Sequence, residues 1–306
     1  MASQNSVANV RTASGVSQGR GPDDAHIGHA IDGFVRMFDF WYARVMREAV
    51  PNYRKLIIQR INPFIRRMQC NRLNTKETAA KLVADYDSRN FVTAGGWAIE
   101  RMALSLCATG RKSPAEGIDI ERADPTSGDH HLYVVKSGSV TRNADILNAL
   151  KRNARRAEKL LQQSRTGTRV IANYAVAAGK TSTTFEDGIR RPSSAEFWSE
   201  ITDLPQDEAT RLALAVALES AAIVQADASV HTDALQLAVA TYIAKPGNPD
   251  EVDWDFLARR TLDYASTWAA EDEERHSRAM KKLRASGYSV TSRPAARRSP
   301  GGVAPP

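Results

Sequence analysis

The residues whose types and spacing could do chemistry lie between Gly117 and Asp145, GIDIERADPTSGDHHLYVVKSGSVTRNAD, where strand-like alternation brings charged groups together. In GIDIE, Ile118 and Ile120 are expected on one face of a strand and Asp119 and Glu121 on the other, which makes a carboxylate pair. Pro125 to Asp129 is a turn cluster, and LYVVK after it reads as a second strand, so the two are expected to pair as a hairpin. By the same alternation Leu132, Val134 and Lys136 share a face. If Asp119 lies on that face, an acid and an amine converge at the strand ends, where Ser137-Gly138 breaks the pattern. Such a pair suits phosphodiester hydrolysis. A hard cation such as Mg²⁺ takes carboxylate oxygens, and a lysine beside it can position or help deprotonate the attacking water. Alone the signal is weak, because an exposed Asp next to a strand ending in Lys is common.

The spacing resembles the PD-(D/E)xK nuclease core, in which an Asp on one strand is followed on the next by an acid, any residue and Lys. Here Val134 stands at the acid position. Further blocks match in order. INPFIRR at Ile61, GIDIE at Gly117, VVKSGSVTRNAD at Val134 and AEFWSEIT at Ala195 resemble segments of the PmeII family of type II restriction endonucleases, over about Arg54 to Asp203. The resemblance implies an α/β fold of the restriction-endonuclease type, a mixed β-sheet flanked by helices, with helical N- and C-terminal additions. It also implies Mg²⁺-dependent, site-specific hydrolysis of double-stranded DNA in defence against foreign DNA, and a cognate DNA methyltransferase in the same host. Asp119 would bind the metal, Lys136 would align and activate the water, and the carbonyl of Val135 would supply another oxygen. In the superfamily the helix before the Asp strand often adds a carboxylate. Glu100 is the acid of that helix here and would complete the metal shell, with Glu158 on the following helix in reserve and Glu121 further along the strand. Val134 departs from the superfamily acid and Ser139 from the family proline. They leave open a second reading, a DNA-binding protein of the same fold with weakened or lost catalysis. A third is a helical interaction protein whose basic face is plain surface.

These residues must be positioned by the rest of a 306-residue chain, of which 42% is hydrophobic, enough for a sizeable core. A net charge of +7 favours a polyanionic partner such as DNA. Cys70 and Cys107 are the only cysteines, which excludes a disulfide framework or a zinc site. With no signal peptide or membrane-length apolar run, a cytoplasmic protein without a membrane partner is expected. Residues 1–25 are polar and expected to be disordered, 26–90 helical, 91–203 the nuclease core, 204–285 helical again and 286–306 a disordered basic tail.

Within this plan, Ile27 to Val50 reads as a long amphipathic helix. Arg54, Lys55, Arg60, Arg66 and Arg67 form either a solvated face or a DNA-backbone contact. Asn74 to Glu77 reads as a capping box that opens a short helix to Tyr86, and Gly95-Gly96 introduces another. Ala144 to Gln163 places Ile146, Leu147, Leu150, Ala154, Ala157 and Leu161 inside. Outside it carries Lys151, Arg152, Arg155, Arg156 and Lys159, a stripe suited to phosphates. Thr168 to Ala177 reads as a buried strand. Gly179-Lys180-Thr181 lacks the glycine and helix of a P-loop, so nucleotide binding is rejected. His130 and His131 are expected in the hairpin turn at the surface. Phe197 and Trp198 are expected to pack a short helix on the sheet. The helical C-terminal end is either a cap on the sheet or the surface of a homodimer.

Overall fold

The computed structural model describes residues 4–15, 21–60, 62–124, 127–138, 144–164, 169–224, 229–262 and 268–289. In chain order the elements are α1 (Gln4–Ser14), α2 (Asp24–Ala49), α3 (Tyr53–Arg60), α4 (Pro63–Cys70), α5 (Thr75–Leu106), β1 (Gly110–Arg111), β2 (Ile120–Ala123), β3 (His130–Lys136), α6 (Ala144–Ser164), β4 (Val170–Val176), β5 (Thr184–Glu186), β6 (Ile189–Arg191), α7 (Ser194–Thr202), α8 (Gln206–Ile223), α9 (Ser229–Ile243), β7 (Ala244–Lys245), β8 (Asn248–Val252), α10 (Trp254–Thr261) and α11 (Ala269–Ala285). They fall into two compact units, Met1–Trp41 with Val92–Gln225 and Tyr42–Phe91 with Ala226–Pro306. The division is interleaved, where the sequence suggested regions in series.

The first unit is a mixed α/β layer structure. Its sheet has the order β1-β2-β3-β4-β6-β5. β3 runs parallel to β4, and β4 to β6; the β1–β2, β2–β3 and β5–β6 pairs are antiparallel. One face is covered by α6, whose Leu150, Ala154 and Ala157 pack on Ile118, Leu132, Val134, Tyr174 and Val176. The other face carries Ile120, Tyr133, Val135 and Ala175 against α2, α5, α7 and α8. Because both faces are buried, β3 and β4 are nearly continuous apolar runs, as parallel strands require. This is the restriction-endonuclease-like arrangement expected from the sequence. Phe197 and Trp198 do pack α7 on the sheet, and the Trp198 indole N–H donates to the Ala177 carbonyl at 2.9 Å.

The second unit is built around Arg275, whose guanidinium is buried. It donates to the carbonyls of Tyr242 (3.2 Å) and Ala244 (2.6 Å) and to the carboxylates of Asp253 (2.5 Å) and Glu271 (2.6 Å). A buried guanidinium is tolerable only when its donors are matched in this way. Arg54 and Arg66, weighed as DNA contacts, are paired here with Asp272 (2.9 Å) and Asp85 (2.5 Å). No helix among the described residues is long and apolar enough to cross a membrane.

Several local expectations meet a different outcome. Residues 4–14 are helical, because Val10 is buried on the core of the first unit and offsets a weak intrinsic preference. The Asn74–Glu77 box forms, with reciprocal hydrogen bonds of 2.9 Å, but its helix continues through Gly95-Gly96 to Leu106. Two glycines cost a helix interior about 2 kcal/mol, and burial of Ala94, Ala98, Met102 and Leu106 beside them outweighs that. His130 and His131 are buried at the start of β3, because the strand between β2 and β4 extends that far. The side chains of Ile146, Leu147 and Leu161 and residues 290–306 of the basic tail lie outside the described residues.

Candidate active site

The chain enters the site at Gly117. Its φ is +72°, a conformation that strains any side chain, and a Cβ there would stand 2.6 Å from the Asn153 side-chain nitrogen on α6. Beyond it the strand does not alternate regularly. Ile118 joins the α6-side core and Ile120 the opposite one, so the two do not share a face as expected. Ile120 is the partner of Tyr133 in the ladder, yet the Asp119 amide also donates to the Tyr133 carbonyl, at 2.8 Å. A register break between Asp119 and Ile120 therefore turns the Asp119 side chain along the sheet edge toward β3.

There Asp119 Oδ2 accepts from the Val135 amide at 2.9 Å. The N–H and C=O of one strand residue point to the same side, so the Val135 carbonyl also faces the β2 side, where Asp119 lies. The neighbouring Lys136 carbonyl accepts from Ala177 on the β4 side, at 2.7 Å, as alternation demands. Asp119 is thus held at the amide of the residue whose carbonyl was named from the sequence.

Glu100 lies on α5. One turn earlier on that helix face, a Cβ at Gly96 would lie 3.7 Å from Ser137 Oγ, so α5 passes over the end of β3. Burial first, and the charge of Asp119 second, push the Glu100 carboxyl up to about 7, while Lys136 and Lys112 pull it down. Asp119 just before β2, Lys136 on β3 and Lys112 after β1 thus all act on the Glu100 carboxyl of α5. Lys136 is half-buried at the end of β3.

Lys112 was missed by sequence reasoning. Its Nζ lies 3.4 Å from Asp119 Oδ1 and its side chain is 60% exposed. No periodicity marks it, since it sits in the connection after β1. The other acids lie elsewhere. Glu121 is buried and accepts from Arg111 (2.8 Å) and Ser113 (3.4 Å). Val134 is packed in the core beside Leu132 and Tyr174, so the position that holds an acid in the sequence pattern is filled by apolar contacts. Glu158 is half-buried on α6.

Among the described residues no cluster of three or more His, Cys, Asp or Glu is arranged to hold a metal. Carboxylate and carbonyl oxygens are the donors that a small hard cation takes, and such an ion keeps several waters. Burial is the larger cause of the raised Glu100 carboxyl, and the charge of Asp119 adds to it.

On α6, Arg152, Arg155, Arg156 and Lys159 are exposed. Lys151 is not part of that open stripe, because its ammonium pairs with Asp187 at 2.9 Å.

No curated protein sequence matches the chain. A family model described as type II restriction endonuclease EcoO109I matches residues 35–219, most of the chain, and the stretch includes Glu100, Asp119, Val135 and Lys136. The likeness to type II restriction endonucleases read from the four sequence blocks thus holds at the level of class. The chain belongs to the type II restriction endonuclease EcoO109I family.

Proposed function

We propose that the chain is an active PD-(D/E)xK-type nuclease that hydrolyses phosphodiester bonds of double-stranded DNA at a specific site with Mg²⁺. The observation that carries this reading is Glu100. A glutamate from a separate helix, pushed up to about 7 by burial and by Asp119, supports a second metal-binding acid in place of the strand acid that Val134 has replaced. Bound Mg²⁺ would supply Lewis-acid stabilisation of the charge that develops on the phosphate.

Asp119, Glu100 and the Val135 carbonyl would hold the ion. The Val135 amide fixes Asp119 Oδ2 and leaves Oδ1 as the oxygen to offer. Lys136, at the end of β3, would orient the water whose oxygen attacks the phosphorus, while the bond to the leaving oxygen breaks on the opposite side; the attacking water gives up a proton and the leaving oxygen takes one up from solvent. Arg152, Arg155, Arg156 and Lys159 would contact the DNA backbone along α6, each phosphate contact releasing counterions. Lys151 instead ties α6 to the β5–β6 turn at Asp187.

The likeness to the PmeII family supports the same roles. With them go a dimer that cuts both strands, a cytoplasmic setting, defence against foreign DNA and a host methyltransferase that protects the cell's own sites. Val134 supports a second reading, DNA binding without cleavage. Cleavage of mixed-sequence DNA in Mg²⁺, set beside binding in Ca²⁺, separates the two: discrete fragments support the nuclease, and binding with intact DNA supports the alternative.

A further inference from the structure

Asp119 divides its two oxygens between two partners. Oδ2 accepts from the Val135 amide, and Oδ1, the one left for a cation, faces Lys112 at 3.4 Å. That distance is long for a charge-assisted hydrogen bond, which is usually about 2.7–2.9 Å. The Lys112 side chain is 60% exposed and that of Asp119 17%. A loose pair on a long, mobile stem is weak and easily exchanged. Lys136, by contrast, extends from the end of β3, where it is the ladder partner of Val176 on β4.

We propose that Lys112 is an internal counter-cation that competes with the divalent ion for the carboxylates and moves to a DNA phosphate when substrate binds. This rests on the reading of the site given above. Its consequence is linkage: DNA draws away a charge that opposes the ion, so DNA raises the affinity for the ion, and the ion raises the affinity for DNA by the same factor. The enzyme then assembles its metal site mainly on substrate. Lys112 acts through Asp119 and is a positioning residue, so activity alone does not identify its role.

The test is calorimetric titration of Ca²⁺ into the full chain, with and without a mixed-sequence duplex. The proteins are wild type, Lys112→Met, Lys112→Arg and Asp119→Asn. Removing a unit charge about 4 Å from the ion should tighten Ca²⁺ binding by Lys112→Met about tenfold without DNA. The gain that DNA confers should shrink by a similar factor in that variant and persist in Lys112→Arg. Wild-type Ca²⁺ affinity in Lys112→Met without DNA, or an undiminished gain with it, overturns the proposal. Wild-type affinity in Asp119→Asn overturns the site itself. Loss of binding in Asp119→Asn beside wild-type behaviour in Lys112→Met overturns the Lys112 proposal alone.

Discussion

Divalent-ion binding should depend on pH through Glu100. Its carboxyl is pushed up from 4.5 to about 7, first by burial and then by Asp119. Below about pH 7 it holds a proton that must leave before the oxygen can serve a cation, so affinity falls as the pH falls. With one such group, roughly a tenth is ionised at pH 6 and roughly nine tenths at pH 8, which gives about a tenfold weaker affinity at the lower pH. An ordinary glutamate would change by under about 5% over that range. Calorimetric Ca²⁺ titrations at pH 6, 7 and 8 read the affinity. Repeating them in buffers of different ionisation heat counts the proton, about one released at pH 6 and almost none at pH 8. Glu100→Gln should bind more weakly at pH 8 and lose the dependence. Wild-type affinity that is flat from pH 6 to 8, or a Glu100→Gln variant that keeps the slope, refutes the assignment. The same shift acts on folding in a definite direction. Between 4.5 and about 7 the native state keeps a proton that the unfolded chain has lost, so this group lowers stability as pH rises through that window.

Lys136→Ala should lower cleavage by at least about 10²-fold in a plasmid assay while DNA affinity in Ca²⁺ stays within about twofold, because the amine acts on the water. Neutralising Arg152, Arg155 and Arg156 together should flatten the slope of log affinity against log salt by roughly 0.9 for each lost phosphate contact. Lys151→Ala, which removes a partner of Asp187, should leave that slope nearly unchanged. Gly117→Ala should destabilise the fold by about 1–3 kcal/mol in denaturant titrations, since it meets both a left-handed φ and the Asn153 side chain. Asn153→Ala in the same chain should recover only the steric part.

The β3 strand was legible as a short run of aromatic and β-branched residues, and the α6 stripe because a period-3.6 pattern survives where one helix face is buried. The capping box at Asn74 was legible for a similar reason, since its geometry is local. Tertiary packing hid the rest. Gly95-Gly96 reads as a break, yet buried neighbours carry the helix through it, so Glu100 lies on the helix that opens at Thr75. The register break at Asp119 cannot be seen in GIDIE, where perfect alternation suggests the opposite, and it is what turns the carboxylate onto the Val135 amide. Glu121, its apparent partner, is drawn to Arg111 and Ser113 instead. Lys112 has no signature at all, because a short loop after β1 brings it to Asp119 through space.

The central claim is that Asp119, Glu100 and Lys136 form a DNA-cutting site, and end-mapping of DNA incubated with the full chain and Mg²⁺ tests it most directly. The account predicts double-strand breaks at one recurring sequence with the wild type and none with Asp119→Asn, although that variant still binds the same DNA. Intact DNA with a wild type that binds it, or the same breaks with Asp119→Asn, would contradict the account.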